Sequence, residues 1–186
     1  MFQVRIHGRG GQGVVSGAEM LSVAAFLEGK FAQAVPSFGS ERMGAPVVAF
    51  CRIDDKEIRL REPVLEPDAL IVQDPTLFSA IDVFSGLSSK GYVLINTRYT
   101  AEKLSIVQAI EGLEPSHVCS VPATDLALKY VKRPVPNAAL LGALAAVTEI
   151  IQIEAVIAAI ESKFPGAVGK ANIAAANAAY QMTQSH

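Results

Sequence analysis

Residues 8 to 13 read Gly-Arg-Gly-Gly-Gln-Gly and place Gly8, Gly10 and Gly13 in the spacing G-x-G-x-x-G, directly after a short apolar strand pattern. A loop of this kind holds phosphate by turning tightly and exposing backbone N–H groups. The following helix then offers its free amides and the positive end of its dipole. Gly8 permits the turn, Gly10 lets a ligand approach the backbone, and Gly13 opens the helix, while Arg9, Gly11 and Gln12 complete the candidate binding loop. A dinucleotide site also needs an acidic residue about 20 positions on, at the end of the second strand, to hold the ribose hydroxyls. That strand ends "AQAVPS" without one, and Glu28 lies before it, so NAD is disfavoured. A P-loop needs Lys-Ser or Lys-Thr after the last glycine, where this chain has Val14-Val15.

Other chemistry is thinner. His7, His117 and His186 are isolated from any nucleophile elbow, so acyl transfer by this chain has no support. Asp74 and Asn96 follow strand cores, at the edge where open α/β sheets bind ligands, and each is equally read as a cap of what comes next. Ser40, Glu41 and Arg42 sit in the polar loop "SFGSERMGAP", where an arginine beside a phosphate loop can clamp an anion. Arg52, Lys56, Arg59 and Arg61 read as a solvated face.

The elements that must carry these residues alternate. "FQVRIHG" is a strand, and Val14, Ala18, Leu21 and Ala25 mark one helical face that stops at Gly29. "KFAQAVPS" is a second strand, and "VVAFCRI" with "EIRLR" reads as an inserted hairpin turning at "DDK". Strands at 69–74, 91–97 and 116–124 are separated by expected helices over "PTLFSAIDVFSG" and "AEKLSIVQAIEG". Strands apolar throughout imply a sheet covered on both faces. The last third is helical, with Asn137 as an expected N-cap, a segment at 138–151 apolar almost all round, and a stop at Pro165-Gly166. Ile153, Val156, Ile157, Ile160 and Phe164 form one apolar stripe. The fold class is therefore α/β: a Rossmann-like, doubly wound, mainly parallel sheet with an inserted β-hairpin and a helical C-terminal third, with residues 1–186 as one domain.

Composition narrows the partners. The chain is 51% hydrophobic and 18% charged, a greasy balance that predicts surface covered by other subunits. Its net charge of −2 and the lack of a Lys/Arg stripe speak against nucleic acid. Cys51 and Cys119 lie far apart with no C-x-x-C spacing, as expected of buried thiols in a reducing cytoplasm, and not of a cluster or zinc site. The longest greasy stretch, "AALLGALAAV", is too short for a bilayer, so no membrane role is expected.

Taken together, "IHGRGGQGVVSGAEML", "PSFGSERMGAPVVAFCRIDDKEI", "EPDALIVQDPTL", "VLINT" and "PNAALLGALA" resemble, in order and spacing, the gamma subunits of the 2-oxoacid:ferredoxin oxidoreductases. The Arg42-Met43-Gly44-Ala45-Pro46 version of the second stretch is most similar to the pyruvate (pyruvate synthase) branch, since 2-oxoglutarate enzymes more usually carry Tyr-Gly…Arg-Gly-Gly there. The resemblance implies a cytoplasmic complex that oxidatively decarboxylates a 2-oxoacid to its acyl-CoA. In it, thiamine diphosphate, magnesium and 4Fe-4S clusters belong to alpha, beta and delta partner subunits, and ferredoxin or flavodoxin accepts the electrons. It implies a chain without catalytic or metal-binding residues of its own that covers the active site and helps bind coenzyme A. The matching positions are Gly8, Arg9, Gly10, Gly11, Gln12 and Gly13, with Ser40, Glu41 and Arg42. Two readings stand beside it: a purely structural assembly subunit, and a gamma subunit for 2-oxoglutarate, branched-chain or indolepyruvate substrates.

Overall fold

The computed structural model describes residues 1–36 and 42–185. Six strands form one sheet: β1 (Phe2–Arg9), β2 (Phe31–Pro36), β3 (Pro46–Asp54), β4 (Ala69–Val72), β5 (Tyr92–Asn96) and β6 (Val118–Val121). Their order is β2-β3-β1-β4-β5-β6. From β1 to β6 the pairing is parallel, with Ile6 opposite Ile71, Ile71 opposite Leu94 and Leu94 opposite Cys119. β3 runs antiparallel to both neighbours, and Cys51 faces Val4 on one side and Ala34 on the other. The fold is α/β as expected, but the inserted hairpin differs from its expected composition. The segment 57–61 forms no strand; the antiparallel pair is β2 with β3. The reason lies in the burial pattern. Ala49, Cys51 and Ile53 must face the core, and β2 presents Ala32 and Ala34 to the same side, whereas "EIRLR" alternates charges that stay in water.

Five helices cover one face: α1 (Val14–Leu27), α2 (Ala123–Tyr130), α3 (Asn137–Thr148), α4 (Ile153–Lys163) and α5 (Ala167–Gln184). α3 is apolar all round because it is enclosed. Leu140, Leu141 and Leu144 are at most 1% exposed, between the sheet and α1, α4 and α5. Each such leucine removed from water contributes about 1.5–3 kcal/mol. Of the α4 stripe, Val156 and Ile160 are fully buried, and Ile153 and Phe164 pack partly against the same core. Asn137 is the first residue of α3 and not its cap, a position held by Pro136. Its side chain still accepts from the Ala138 amide and also donates to Gly13 O at 3.1 Å.

The second face is covered without long helices. Val72, Val93 and Ile95 pack under Leu77, Val83 and Ile106, which come from short 3-10 turns and irregular chain. The helices expected at 75–86 and 101–112 are thus replaced by turns at Pro75–Ser79 and Val107–Ile110. Asp74 starts the first turn by accepting the Thr76 amide, and Pro75 at its N-terminus sets φ for a tight turn. Further along this face two buried arginines replace apolar contacts. Arg5 donates to the carbonyls of Val64, Leu65, Val83 and Ser85, and Arg52 to that of Glu62, so the chain from 62 to 66 is pinned to the sheet.

Arg5 Nε also donates to His7 Nε2 at 3.0 Å, which places the proton of the neutral ring on Nδ1. Burial, and secondly the Arg5 charge, push His7 down from 6.5 to about 4. A folded pKa below the unfolded one means that this site contributes fully above pH 6.5 and loses its contribution as pH falls from 6.5 towards 4. The shift corresponds to about 3 kcal/mol in all. Urea midpoints of the wild type should therefore fall between pH 7.5 and 4.5 by an amount that His7→Gln lacks. Equal pH slopes for the two proteins would contradict this.

Candidate functional site

The parallel strands all end at one crest, and the glycine loop is its first part. β1 delivers Gly8 and Arg9; residues 10–13 turn; α1 begins from Gly13, which is left-handed at φ 74°. No side chain caps α1, and no acid lies in its first turn, so its amides and dipole are open to an anion. A cavity of about 320 Å³ lies against this end, lined by Gly11, Gly13, Val14, Val15, Ser16, Arg9 and Arg133 among others. No carboxylate is among its lining residues.

The loop's own glycines are used differently from expectation. An alanine Cβ at Gly10 would lie 2.1 Å from the Arg42 carbonyl oxygen. The 42–45 segment is seated there by Gly10 N donating to Ala45 O (2.9 Å) and Gly44 N donating to Gly10 O (3.1 Å). Gly10 therefore admits this chain's own backbone. Arg9 and Gln12 also turn inward. Arg9 donates to Thr76 Oγ1 and Gly44 O and pairs with Asp74 at 3.3 Å; Gln12 Nε2 donates to Asp74 Oδ2 at 3.0 Å. Burial raises the Asp74 pKa, but bonds from Thr76 and Gln12 and the Arg9 charge outweigh it and hold the carboxyl below its ordinary value. Ser40 and Glu41 lie outside the described residues; Arg42 is exposed beside the glycine loop and accepts the Ala45 amide through its carbonyl.

The ends of β4, β5 and β6 form the other part of the crest, a crevice of about 620 Å³ that includes Gln12, Asp74, Thr76, Asn96, Thr97, Arg98, Tyr99, Thr124 and Asp125. Asn96 holds it together: its amide donates to Gln73 O and Thr124 Oγ1, and its Oδ1 accepts the Thr124 amide at 3.0 Å. Asn96 is thus a cap delivered in space, to α2 and not to the segment that follows it. Arg98 pairs with Asp125, and that bond together with the Arg98 charge lowers the Asp125 pKa. Both acids of the crevice are already matched by internal donors. A further anion is therefore better received at the α1 cavity, whose lining carries Arg9 and Arg133 and no carboxylate, although Arg9 is itself paired with Asp74 outside that lining.

Of the residues singled out from sequence, the fold brings Arg9, Gly10, Gln12, Arg42 and Asp74 together and leaves His117 remote, stacked on Tyr92. Arg133, Asn137, Thr76 and Thr124 were not singled out as ligand-edge groups. Arg133 could have been found from "KRPVPN", a cation held by two prolines just before a buried helix. Among the described residues there is no group of three or more His, Cys, Asp or Glu able to hold a metal ion, and no helix is long and apolar enough to cross a membrane.

Residues 3–182 match the family model described as pyruvate ferredoxin/flavodoxin oxidoreductase. The chain is 46% identical over 186 residues to the pyruvate/ketoisovalerate oxidoreductases common subunit gamma of Pyrococcus furiosus, covering 99% of this chain and 98% of that one. It is 45% identical over 181 residues to the pyruvate synthase subunit PorC of Methanothermobacter marburgensis, covering 97% of each. The crystal structure of pyruvate oxidoreductase subunit PORC from Thermotoga maritima superposes with a TM-score of 0.82 at 40% identity, over 97% of this chain and 95% of that one. With this match spanning nearly every residue, glycine loop, crest and helical tail included, the chain belongs to the pyruvate ferredoxin/flavodoxin oxidoreductase family.

Proposed function

We propose that this chain is the gamma subunit of a CoA-acylating 2-oxoacid:ferredoxin oxidoreductase, one domain over residues 1–186, and that it forms a wall for coenzyme A without catalysing alone. Thiamine diphosphate, magnesium and the 4Fe-4S clusters then belong to the alpha, beta and delta subunits, with ferredoxin or flavodoxin as electron acceptor. The observation that carries this reading is the uncapped α1 terminus, open to a cavity with Arg9 and Arg133 on its lining and no carboxylate. Coenzyme A brings a pyrophosphate and a 3′-phosphate to such a site and supplies a thiol to accept the acyl group. The first-turn amides orient the phosphates, and Arg133 adds a charge-assisted bond. Coenzyme A has no nicotinamide ribose, which suits the missing acid on β2.

The Pyrococcus furiosus relative is by name common to pyruvate and ketoisovalerate oxidoreductases. A gamma subunit shared in that way cannot be the part that selects the 2-oxoacid, so we assign that choice to other subunits, with pyruvate as the first substrate to assay. Arg133→Gln in the assembled complex should raise the KM for coenzyme A about tenfold or more, the loss of one charged hydrogen bond. The KM for the 2-oxoacid should stay near wild type. An unchanged KM for coenzyme A would favour the second reading, an assembly subunit whose loop is a tight turn. That alternative draws on Gly10 being filled by the Arg42 carbonyl and on the inward bonds of Arg9 and Gln12.

A further inference from the structure

The geometry points to Gln12 and Asp74 as a latch with a fixed donor-to-acceptor direction that positions the glycine loop for its anion. This inference rests on the coenzyme A reading above. The Arg9 amide donates to Gln12 Oε1 at 2.8 Å, which fixes the orientation of the Gln12 side chain and leaves Nε2 as the group facing Asp74. Asp74 accepts from every side. Oδ2 takes Gln12 Nε2 at 3.0 Å and faces Arg9 Nε at 3.3 Å, while Oδ1 takes the Thr76 amide at 3.0 Å and Thr76 Oγ1 at 2.6 Å. Arg9 then reaches Gly44 O at 3.0 Å. One carboxylate thereby joins three separate pieces of chain: the loop leading into α1, the turn after β4 and the segment seated on Gly10.

The latch stands between the two cavities of the crest. Gln12, Asp74 and Thr76 line the larger crevice, whereas Arg9, Gly11 and Gly13 line the cavity at α1, whose lining includes neither Gln12 nor Asp74. Gln12 and Asp74 are therefore positioning residues. They act on the ligand through Arg9 and the backbone of residues 10–13, and they do so only while one of the pair donates and the other accepts.

Direction gives the test, carried out on the assembled complex with the KM for coenzyme A as readout. Gln12→Glu sets two carboxylates about 3 Å apart and should raise the KM about tenfold. Asp74→Asn leaves one amide NH₂ facing the Gln12 and Arg9 donors and should also raise the KM about tenfold. The double variant Gln12→Glu with Asp74→Asn restores a donor facing an acceptor between residues 12 and 74 while Arg9 still meets the amide NH₂, so its KM should fall below that of either single variant without reaching wild type. A field effect alone predicts the opposite sign for Asp74→Asn, since losing a negative charge beside an anion site lowers the KM, and that outcome overturns the latch. Wild-type KM values in all three variants, with Arg133→Gln still impaired, also overturn the latch and leave the coenzyme A reading standing. If Arg133→Gln is unimpaired as well, it is the coenzyme A reading that fails. Should Gln12→Glu not assemble, the sign of the Asp74→Asn effect and its partial reversal in the double variant still decide.

Discussion

Replacing Gly10 with alanine should destabilise the protein by about 3 kcal/mol, a large effect for one methyl group, because its neighbours are backbone and cannot rotate away. The added Cβ would meet the Arg42 carbonyl oxygen at 2.1 Å, its carbon at 2.8 Å and Met43 Cα at 3.3 Å. Relief requires lifting residues 42–45 off Gly10, which breaks the two hydrogen bonds that seat them. For a chain of this size the expected fall in Tm is roughly 6–12 °C by calorimetry. Gly10→Asp should lose nearly as much as Gly10→Ala, so a carboxylate at this position reports on packing and not on anion binding. Retention of the wild-type Tm by the alanine variant would show that the 42–45 segment does not sit on Gly10.

The second large effect is expected at Arg5. Its guanidinium satisfies four carbonyls and the His7 ring from a position only 8% exposed. Burial lowers its pKa, while the Asp82 charge works the other way. Leucine fills much of the volume but leaves those carbonyls without a donor inside the fold, each worth about 1–3 kcal/mol. Arg5→Leu should therefore cost at least about 3 kcal/mol in urea unfolding, with faster amide exchange concentrated at residues 62–66 and 83–85. Arg5→Lys should recover less than half, since one ammonium cannot reach two chain segments in a fixed fork. A uniform rise in exchange across the helical layer would instead indicate a general loss of packing.

These two residues mark what the sequence disclosed and what it withheld. Period located β1, α1 and the α4 stripe, where core-facing side chains recur at the element's own spacing, and unbroken apolar runs located β5 and α3, which are enclosed on more than one side. The 57–61 segment alternates as a strand does, yet alternation cannot say which strand is the partner. β3 found β1 and β2, whose small residues Ala32 and Ala34 face the same core. The segments at 75–86 and 101–112 carry helical spacing but no room for long helices. Their apolar residues lie instead over Val72, Val93 and Ile95 in short turns. At the site, G-x-G-x-x-G revealed the turn and the helix start. It could not reveal that Gly10 admits Arg42 and not a ligand, nor that Arg133, 120 residues later, would stand beside Gly13. Arg5 showed no signal at all, because a cation in a strand reads as solvent-facing until a chain segment folds over it.

The polar pinning of residues 62–66 bears on heat capacity. A layer held by guanidinium-to-carbonyl bonds exposes polar surface when it opens, which lowers the heat capacity of unfolding, whereas opening the apolar layer around α3 raises it. The arginine-pinned segment and the helical layer should therefore respond differently to cooling. The helical side loses part of its driving force as water becomes a better solvent for apolar groups, and the segment over Arg5 and Arg52 keeps nearly the same hold across the working range. One segment of the second face is thus held by bonds that change little with temperature, beside an apolar patch over Val72, Val93 and Ile95 that follows temperature as the helical layer does.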